Sequence, residues 1–139
     1  MATQLNPYLN FSGNAREAME FYHGVFGGEL ELSTFGDFAM ASDPGDADKI
    51  MHSRLVSENS LVLMGSDTPS SMEIFRGTDH AVSLSGQDEV ELRDYWDKLS
   101  TGGQIVMALE AAPWGDDFGM CTDRFVVPWM LNIGMTPQA

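Results

Sequence analysis

The sequence predicts an α+β fold in which one unit of structure occurs twice. Two amphipathic segments have the spacing of helices, shorter segments between them have the pattern of strands, and a Gly-Gly pair follows each helical segment. These pairs, Gly27-Gly28 and Gly102-Gly103, lie 75 residues apart. Because solenoid repeats have periods of roughly 20–50 residues, the longer period indicates two duplicated half-domains.

The helices are predicted at residues 15–26 and 88–99. Asn14 is a favourable N-cap for the first helix, and Glu17 completes a pattern resembling a capping box. Each helix carries an apolar stripe and ends at its glycine pair. The stripes consist of Ala18, Phe21, Tyr22, Val25 and Phe26 in the first helix and of Leu92, Tyr95, Trp96 and Leu99 in the second.

Eight strands are predicted around these helices. They are residues 8–11, 29–33, 50–56 and 60–64 in the first half, and residues 80–84, 104–109, 118–122 and 129–133 in the second. Each half has the order βαβββ, which defines module 1 (about residues 5–67) and module 2 (about residues 79–135) of a single domain spanning residues 1–139. The segment 67–78, with its proline and serines, is the predicted connector.

The charge balance disfavours several kinds of partner. Twenty-one carboxylates and seven Lys/Arg residues give a formal net charge of −14. Such a surface repels nucleic acid and anionic membranes, so neither is expected as a partner, whereas cationic small molecules remain possible. A high net charge also keeps a protein soluble, which is the simpler interpretation.

Cysteine content and apolar patterning predict a cytoplasmic protein. Cys121 is the single cysteine, so no intramolecular disulfide can form, and with no base nearby in sequence it is predicted to be buried and inert. Residues 1–11 lack the basic and apolar regions of a signal peptide. No apolar run approaches the roughly 20 residues that span a bilayer.

Short motifs form an ordered set along nearly the whole chain. In the first half they are Tyr8–Ala15, Ala18–Tyr22, Val25–Gly28, Ile50–His52 with Leu55, and Leu63–Asp67. In the second half they are Gly102-Gly103, Trp114-Gly115, Phe118-Gly119, Asp123–Phe125 and Trp129–Asn132. This set resembles the PhnB-like branch of the glyoxalase/bleomycin-resistance (vicinal oxygen chelate) superfamily. The resemblance implies two βαβββ modules whose curved mixed sheets surround a cleft, and it implies a homodimer.

One position departs from the family pattern. Val126 stands where the turn before the last strand usually has glycine. A β-branched residue adopts a left-handed conformation poorly, which leaves the geometry of this turn open.

Catalytic members of the superfamily hold a divalent metal at four strand positions. Carried onto this chain, those positions are Pro7, Val62, His80 and Met130. Only His80 is of a good ligand type, whereas a catalytic site typically needs three protein ligands. His52, His80 and a carboxylate such as Asp67 would make an atypical site. The prediction is therefore no metal, with an atypical divalent site as the alternative.

These observations predict a PhnB-like protein that binds a small molecule without metal in the cleft between modules. The predicted ligand-binding residues are Tyr8, His52, Met64, His80, Trp114 and Trp129. A small apolar or cationic ligand is expected, because bleomycin-resistance proteins on this fold sequester a cationic drug in acidic dimers. A nearby cation such as Arg54 would oppose that inference.

Two other functions remain open. One is a metal-dependent lyase, isomerase or dioxygenase with an atypical site, and the other is a dimeric regulatory or structural domain without a ligand. Whether the chain is an enzyme is left open, and no cofactor is expected. PhnB-like proteins are sometimes labelled 3-demethylubiquinone-9 3-methyltransferases, but the glycine-rich strand-to-helix turn of a doubly wound methyl-donor site is missing from the sequence.

Overall fold

The chain contains two βαβββ modules, as the repeat predicts. The computed structural model describes residues 3–41, 43–74, 77 and 79–134. Two compact units, residues 1–76 and 77–139, each contain one module. The predicted end of module 2 at residue 135, and residues 75, 76 and 78 of the predicted connector, lie outside the described residues.

Module 1 is a four-stranded mixed sheet with one long helix. Its elements are β1 (Tyr8–Phe11), α1 (Ala15–Phe26), β2 (Glu29–Thr34), β3 (Ile50–Val56) and β4 (Val62–Asp67), with short 3-10 turns at Gly36–Phe38 and Pro44–Asp46. The strand order is β1-β4-β3-β2, in which β1 runs parallel to β4 and the other neighbours are antiparallel.

Module 2 repeats this arrangement. Its elements are β5 (Val82–Gly86), α2 (Glu89–Ser100), β6 (Gln104–Ala111), β7 (Asp117–Thr122) and β8 (Pro128–Ile133). The strand order is β5-β8-β7-β6, again with the first pair parallel. Neither helix of the described chain is long and apolar enough to cross a membrane.

The N-terminus of α1 is held by a carboxylate distant in sequence. Asn14 makes no side-chain capping bond, so the predicted cap is wrong. Instead Oδ1 of buried Asp67, at the end of β4, accepts hydrogen bonds from the backbone N–H groups of Gly13 (2.8 Å) and Ala15 (2.9 Å). Its Oδ2 accepts one from the N–H of Ile50 (2.9 Å), so a single side chain joins α1 to β3 and β4. In α2 the cap is local, because Asp88 accepts from the N–H of Glu91.

Each helix covers one face of its own sheet. A Cβ built on Gly65 would lie 3.2 Å from Sδ of Met19 on α1, and one built on Gly119 would lie 2.9 Å from the Trp96 indole on α2. Side chains alternate along a strand, so the neighbours of these glycines point away from the helix. We call this opposite side the open face of each module.

The turn between β3 and β4 and the turn between β7 and β8 have the same geometry. In module 1 the N–H of Ser57 donates to the carbonyl of Leu61, and in module 2 the N–H of Asp123 donates to the carbonyl of Val127, both at 2.9 Å. Ser60 and Val126 occupy the same left-handed position, with φ of 68° and 67°. Module 2 thus keeps a left-handed backbone although valine replaces the glycine usual in the family. The turn in module 1 extends through Ser60, which is why β4 begins two residues later than predicted.

Replacing Val126 by glycine should stabilise the protein. A left-handed conformation costs an L-residue roughly 1–2 kcal/mol, part of which is offset by the larger unfolded-state entropy of glycine. Because Val126 is 59% exposed, little packing is lost. We expect V126G to raise the unfolding midpoint by about 3 °C in calorimetry. The control is Val90→Gly, at an exposed position in the first turn of α2, which should lower the midpoint. An unchanged or lower midpoint for V126G would show that the backbone at Val126 is not strained.

Candidate functional site

The open face of module 1 brings three predicted ligand-binding residues together. Tyr8 on β1 pairs with Met64 on β4, and Met64 pairs with Arg54 on β3. These side chains form a row across three strands, and His52 lies on the same face two residues before Arg54. Tyr8, His52 and Met64 are three of the six predicted ligand-binding residues, and the strand register places Arg54 beside them.

Tyr8 and His52 are in direct contact on this face. Tyr8 Oη lies 3.3 Å from His52 Nδ1, and the two ring centroids are 5.9 Å apart. Tyr8 is 44% exposed and His52 is half-buried, so both rings remain reachable from solvent. The pair is a polar, hydrogen-bonding element beside the apolar Met64 side chain.

The open face of module 2 is built differently. Met107 on β6 pairs with Met120 on β7, Met120 pairs with Met130 on β8, and Met130 pairs with Ser83 on β5. The three methionines therefore form a row across three adjacent strands. Thioether side chains are flexible and polarizable, so such a row makes an adaptable apolar surface.

Trp114 stands next to this surface in a fixed orientation. Its indole is 53% exposed, yet Nε1–H donates a hydrogen bond to Asn132 Oδ1 (3.1 Å), and its ring packs edge-on against Phe118 at 5.4 Å. Asn132 in turn donates through Nδ2 to Asp116 Oδ2 (3.0 Å). Asp116 and Asn132 are buried, so a core network holds an exposed aromatic ring.

A groove of about 250 Å³ runs along Trp114. Trp114 and Phe118 supply its aromatic wall, and Met107, alanines of β6 and the following loop, and Pro113 supply the rest. Glu110 is the charged residue of this lining. The groove is thus apolar and aromatic with one carboxylate.

Sequence reasoning found Trp114 but missed the residues that position it. Phe118, Asp116 and Asn132 lie in predicted turns or strands, where nothing marked them as partners of the indole. The available signal was Asn132, a polar residue within the apolar segment Trp129–Ile133. A polar side chain in such a strand needs a hydrogen-bond partner, but the partner is revealed only by strand register.

Two predicted ligand-binding residues lie in other surroundings. His80 precedes β5 by two residues instead of lying in it, its side chain is 89% exposed, and its Nδ1 lies 2.8 Å from the Asp79 carboxylate. Trp129 is 1% exposed and donates from Nε1–H to Asp123 Oδ2 at 2.8 Å. Its indole therefore belongs to the core and supports the β7–β8 turn.

The side chains at the family's metal positions do not fit a divalent ion. Pro7 and Val62 cannot ligate, and Met130 offers a soft thioether, a poor ligand for a hard ion. Strand register gives a second way to choose these positions, because Tyr8–Met64 in module 1 and Ser83–Met130 in module 2 are corresponding pairs of the first and last strands. This second set also contains no histidine and no acidic carboxylate. Within the described residues no three His, Cys, Asp or Glu side chains are grouped as a metal site.

Asp67 and Cys121 serve the fold: the Asp67 carboxylate is taken up by backbone hydrogen bonds, and the Cys121 thiol is buried. Asp67, the carboxylate of the atypical metal site, already accepts three backbone hydrogen bonds. Cys121 is 1% exposed, and burial raises the pKa of its thiol to about 11. A thiol with so high a pKa is protonated at neutral pH and is a poor nucleophile, as predicted from the sequence.

The fold and these faces define a tandem βαβββ protein with two differently lined sheets. The family model of the Glyoxalase/Bleomycin resistance protein/Dioxygenase superfamily matches residues 4–131, and the chain belongs to this superfamily. It is 29% identical to protein YjdN of Escherichia coli K12, over 93% of this chain and 94% of that protein.

Two solved structures are similar over almost the whole chain. Protein PA1353 from Pseudomonas aeruginosa is 39% identical with a TM-score of 0.84, over 97% of this chain and all of that one. The PhnB protein from Bacillus cereus is 23% identical with a TM-score of 0.75, over 95% of this chain and all of that one, which shows a shared fold. The predicted membership of the glyoxalase/bleomycin-resistance superfamily is confirmed by the family model, and the likeness to the PhnB protein is one of fold.

The donor set leads to a prediction for metal binding. We expect purified, untagged protein to carry substoichiometric metal by elemental analysis, because neither set of positions offers three suitable ligands. Calorimetric titration with Zn²⁺, Mn²⁺, Fe²⁺ and Ni²⁺ should show no micromolar site. A stoichiometric micromolar site that is lost in His52→Ala would contradict this prediction; His23→Ala, which removes a histidine from α1, is the control.

Proposed function

We propose that this protein binds a small apolar or cationic molecule without a metal ion, and that the groove beside Trp114 is its binding surface. The observation that carries the proposal is the fixed orientation of a half-exposed indole. Fixing an aromatic side chain before binding lowers the entropic cost of complex formation. An aromatic ring also offers its face to a cation, and Glu110 supplies a negative charge in the same lining.

The two open faces favour different ligand charges. Arg54 stands on the open face of module 1 beside the Tyr8–His52 pair, which opposes a cation there. The groove of module 2 is lined by Glu110 and apolar groups, and the chain carries a formal net charge of −14. A cationic or neutral aromatic molecule therefore suits the groove better.

The groove can be tested with a cationic aromatic dye, thioflavin T, by isothermal titration calorimetry. We expect Trp114→Ala to weaken binding about tenfold and Trp114→Phe to weaken it less, because a cation–π contact contributes roughly 0.5–2 kcal/mol. Glu110→Gln should weaken binding, while Glu29→Gln, the same charge change in module 1, should leave it unchanged. Equal affinity of wild type and W114A, or no dye binding to wild type, would refute the proposal.

We propose further that the chain forms a homodimer through the first half of β6. β6 is an edge strand, and Ile105, Val106 and Met107 are 53%, 64% and 50% exposed. An apolar edge strand left uncovered invites pairing with another chain. Because two copies of a chain at −14 repel each other, self-association favours a surface with few charges, and the strand Gln104–Ala111 has only Glu110.

Light scattering on a sizing column measures this directly. We expect a mass of twice 15.3 kDa for wild type and a shift towards 15.3 kDa for Val106→Lys, since an edge lysine blocks strand pairing. Val90→Lys, at an exposed valine on α2, is the matched control and should remain dimeric. A monomeric wild type, or a V106K variant that stays dimeric, would count against this interface.

A further inference from the structure

Arg54 is a half-buried cation without a partner among the described residues. Three other described cations form ion pairs: Lys49 with Asp46, Arg93 with Glu89 and Asp117, and Lys98 with Asp94. Arg124 donates a hydrogen bond to the Thr101 carbonyl, whereas Arg16 is exposed on α1 and forms no ion pair with a described residue. The Arg54 guanidinium makes no ion pair or hydrogen bond with any described residue. Arg16 is exposed to solvent but Arg54 is half-buried, so the missing partner of Arg54 is unexpected in a chain with three carboxylates for each Lys or Arg.

The carboxylate nearest in register does not satisfy Arg54. Glu31 on β2 is its cross-strand neighbour, and its side chain is exposed. The guanidinium, which presents five N–H donors and prefers a planar oxyanion, is left available on the open face.

The Tyr8–His52 pair offers a second donor to the same face. If the Tyr8 hydroxyl donates to His52 Nδ1, then Nε2 carries the imidazole proton and presents an N–H group. If His52 Nδ1–H donates to Tyr8 instead, the tyrosine hydroxyl proton is free to donate elsewhere. Either arrangement of the 3.3 Å contact therefore leaves one donor unused within the pair.

Met64 lies between these donors. Met64 on β4 pairs with Arg54 on β3 and with Tyr8 on β1. Arg54 and Tyr8 are therefore two strand spacings apart, and each spacing is about 5 Å. The Met64 thioether and the Tyr8 ring provide apolar surface between the donors. A molecule with a planar oxyanion and a flat apolar body matches this arrangement.

We propose that the open face of module 1 is a binding site for small aromatic carboxylates, in which Arg54 binds the carboxylate, the Tyr8–His52 pair donates one hydrogen bond, and Met64 contacts the apolar body. This ligand is opposite in charge to the one proposed for the Trp114 groove, and the two sites share no residue. Failure of one proposal is thus distinguishable from failure of the other.

Benzoate and its neutral analogue benzamide are the matched probes. Titration of ¹⁵N-labelled protein with each, followed by two-dimensional NMR, should show benzoate-induced shifts at the amides of β1, β3 and β4. Benzamide should bind at least tenfold more weakly. Arg54→Gln should weaken benzoate binding about tenfold, which corresponds to 1.4 kcal/mol, and Arg54→Lys should weaken it less because charge is kept while the bidentate geometry is lost.

Arg16→Gln is the control for net charge. Arg16 is exposed on α1, so this variant makes the same change in total charge without touching the open face. Its benzoate affinity should stay within about twofold of wild type, as expected for an exposed charge. Equal effects of R16Q and R54Q, equal binding of benzoate and benzamide, or shifts absent from β1, β3 and β4 would each overturn the proposal; the spectrum of R54Q shows directly that the variant is folded.

Discussion

Each module depends on a close approach between two of its own backbone segments, at a glycine that follows the helix. A Cβ on Gly28 would lie 1.9 Å from the Val56 carbonyl oxygen, and one on Gly103 would lie 2.1 Å from that of Thr122. At these two positions the chain leaves its helix and passes directly over the end of the third strand of its own module. Only glycine permits this contact, and the contact fixes where β2 and β6 begin relative to their neighbours. Register, and with it the residues of each open face, follows from this geometry.

This constraint explains why so much of the fold could be predicted. A glycine pair after an apolar stripe marks a helix end by local chemistry alone, and α1 ends at Phe26 as expected. The bounds of β1 and β3 match the prediction for the same reason, since alternation is a local property. The cap at Asp67 could not be predicted in this way, because its hydrogen bonds join residues 52 to 54 positions apart in the chain.

The candidate sites differ in the same way, because some of their features follow from local sequence patterns and others depend on residues distant in the chain. Tyr8, His52 and Met64 were predicted among six residues of one cleft, and these three do lie on one face of module 1. The orientation of Trp114 depends on Asn132 and Asp116, and that of Arg54 on its neighbours in β2 and β4. Those relations arise from pairing between strands, which no local pattern contains. His80 was misplaced because the start of β5 lies two residues further along.

The duplicated modules have diverged in a particular manner. Their turns keep the same hydrogen bonds and the same left-handed residue, whereas the rows across their open faces have become Tyr8–Met64–Arg54 and Ser83–Met130–Met120–Met107. One row is polar and carries a cation, and the other is rich in thioethers. The backbone was retained while the side chains on the open faces changed.

The position of Trp114 also gives the molecule a spectroscopic property. Trp96 and Trp129 are 7% and 1% exposed, whereas Trp114 is 53% exposed. Solvent-dependent emission of the folded chain is therefore dominated by one indole, and that indole forms a wall of the groove. The protein thus carries an intrinsic optical reporter at the surface where a ligand is proposed to bind, without any added label.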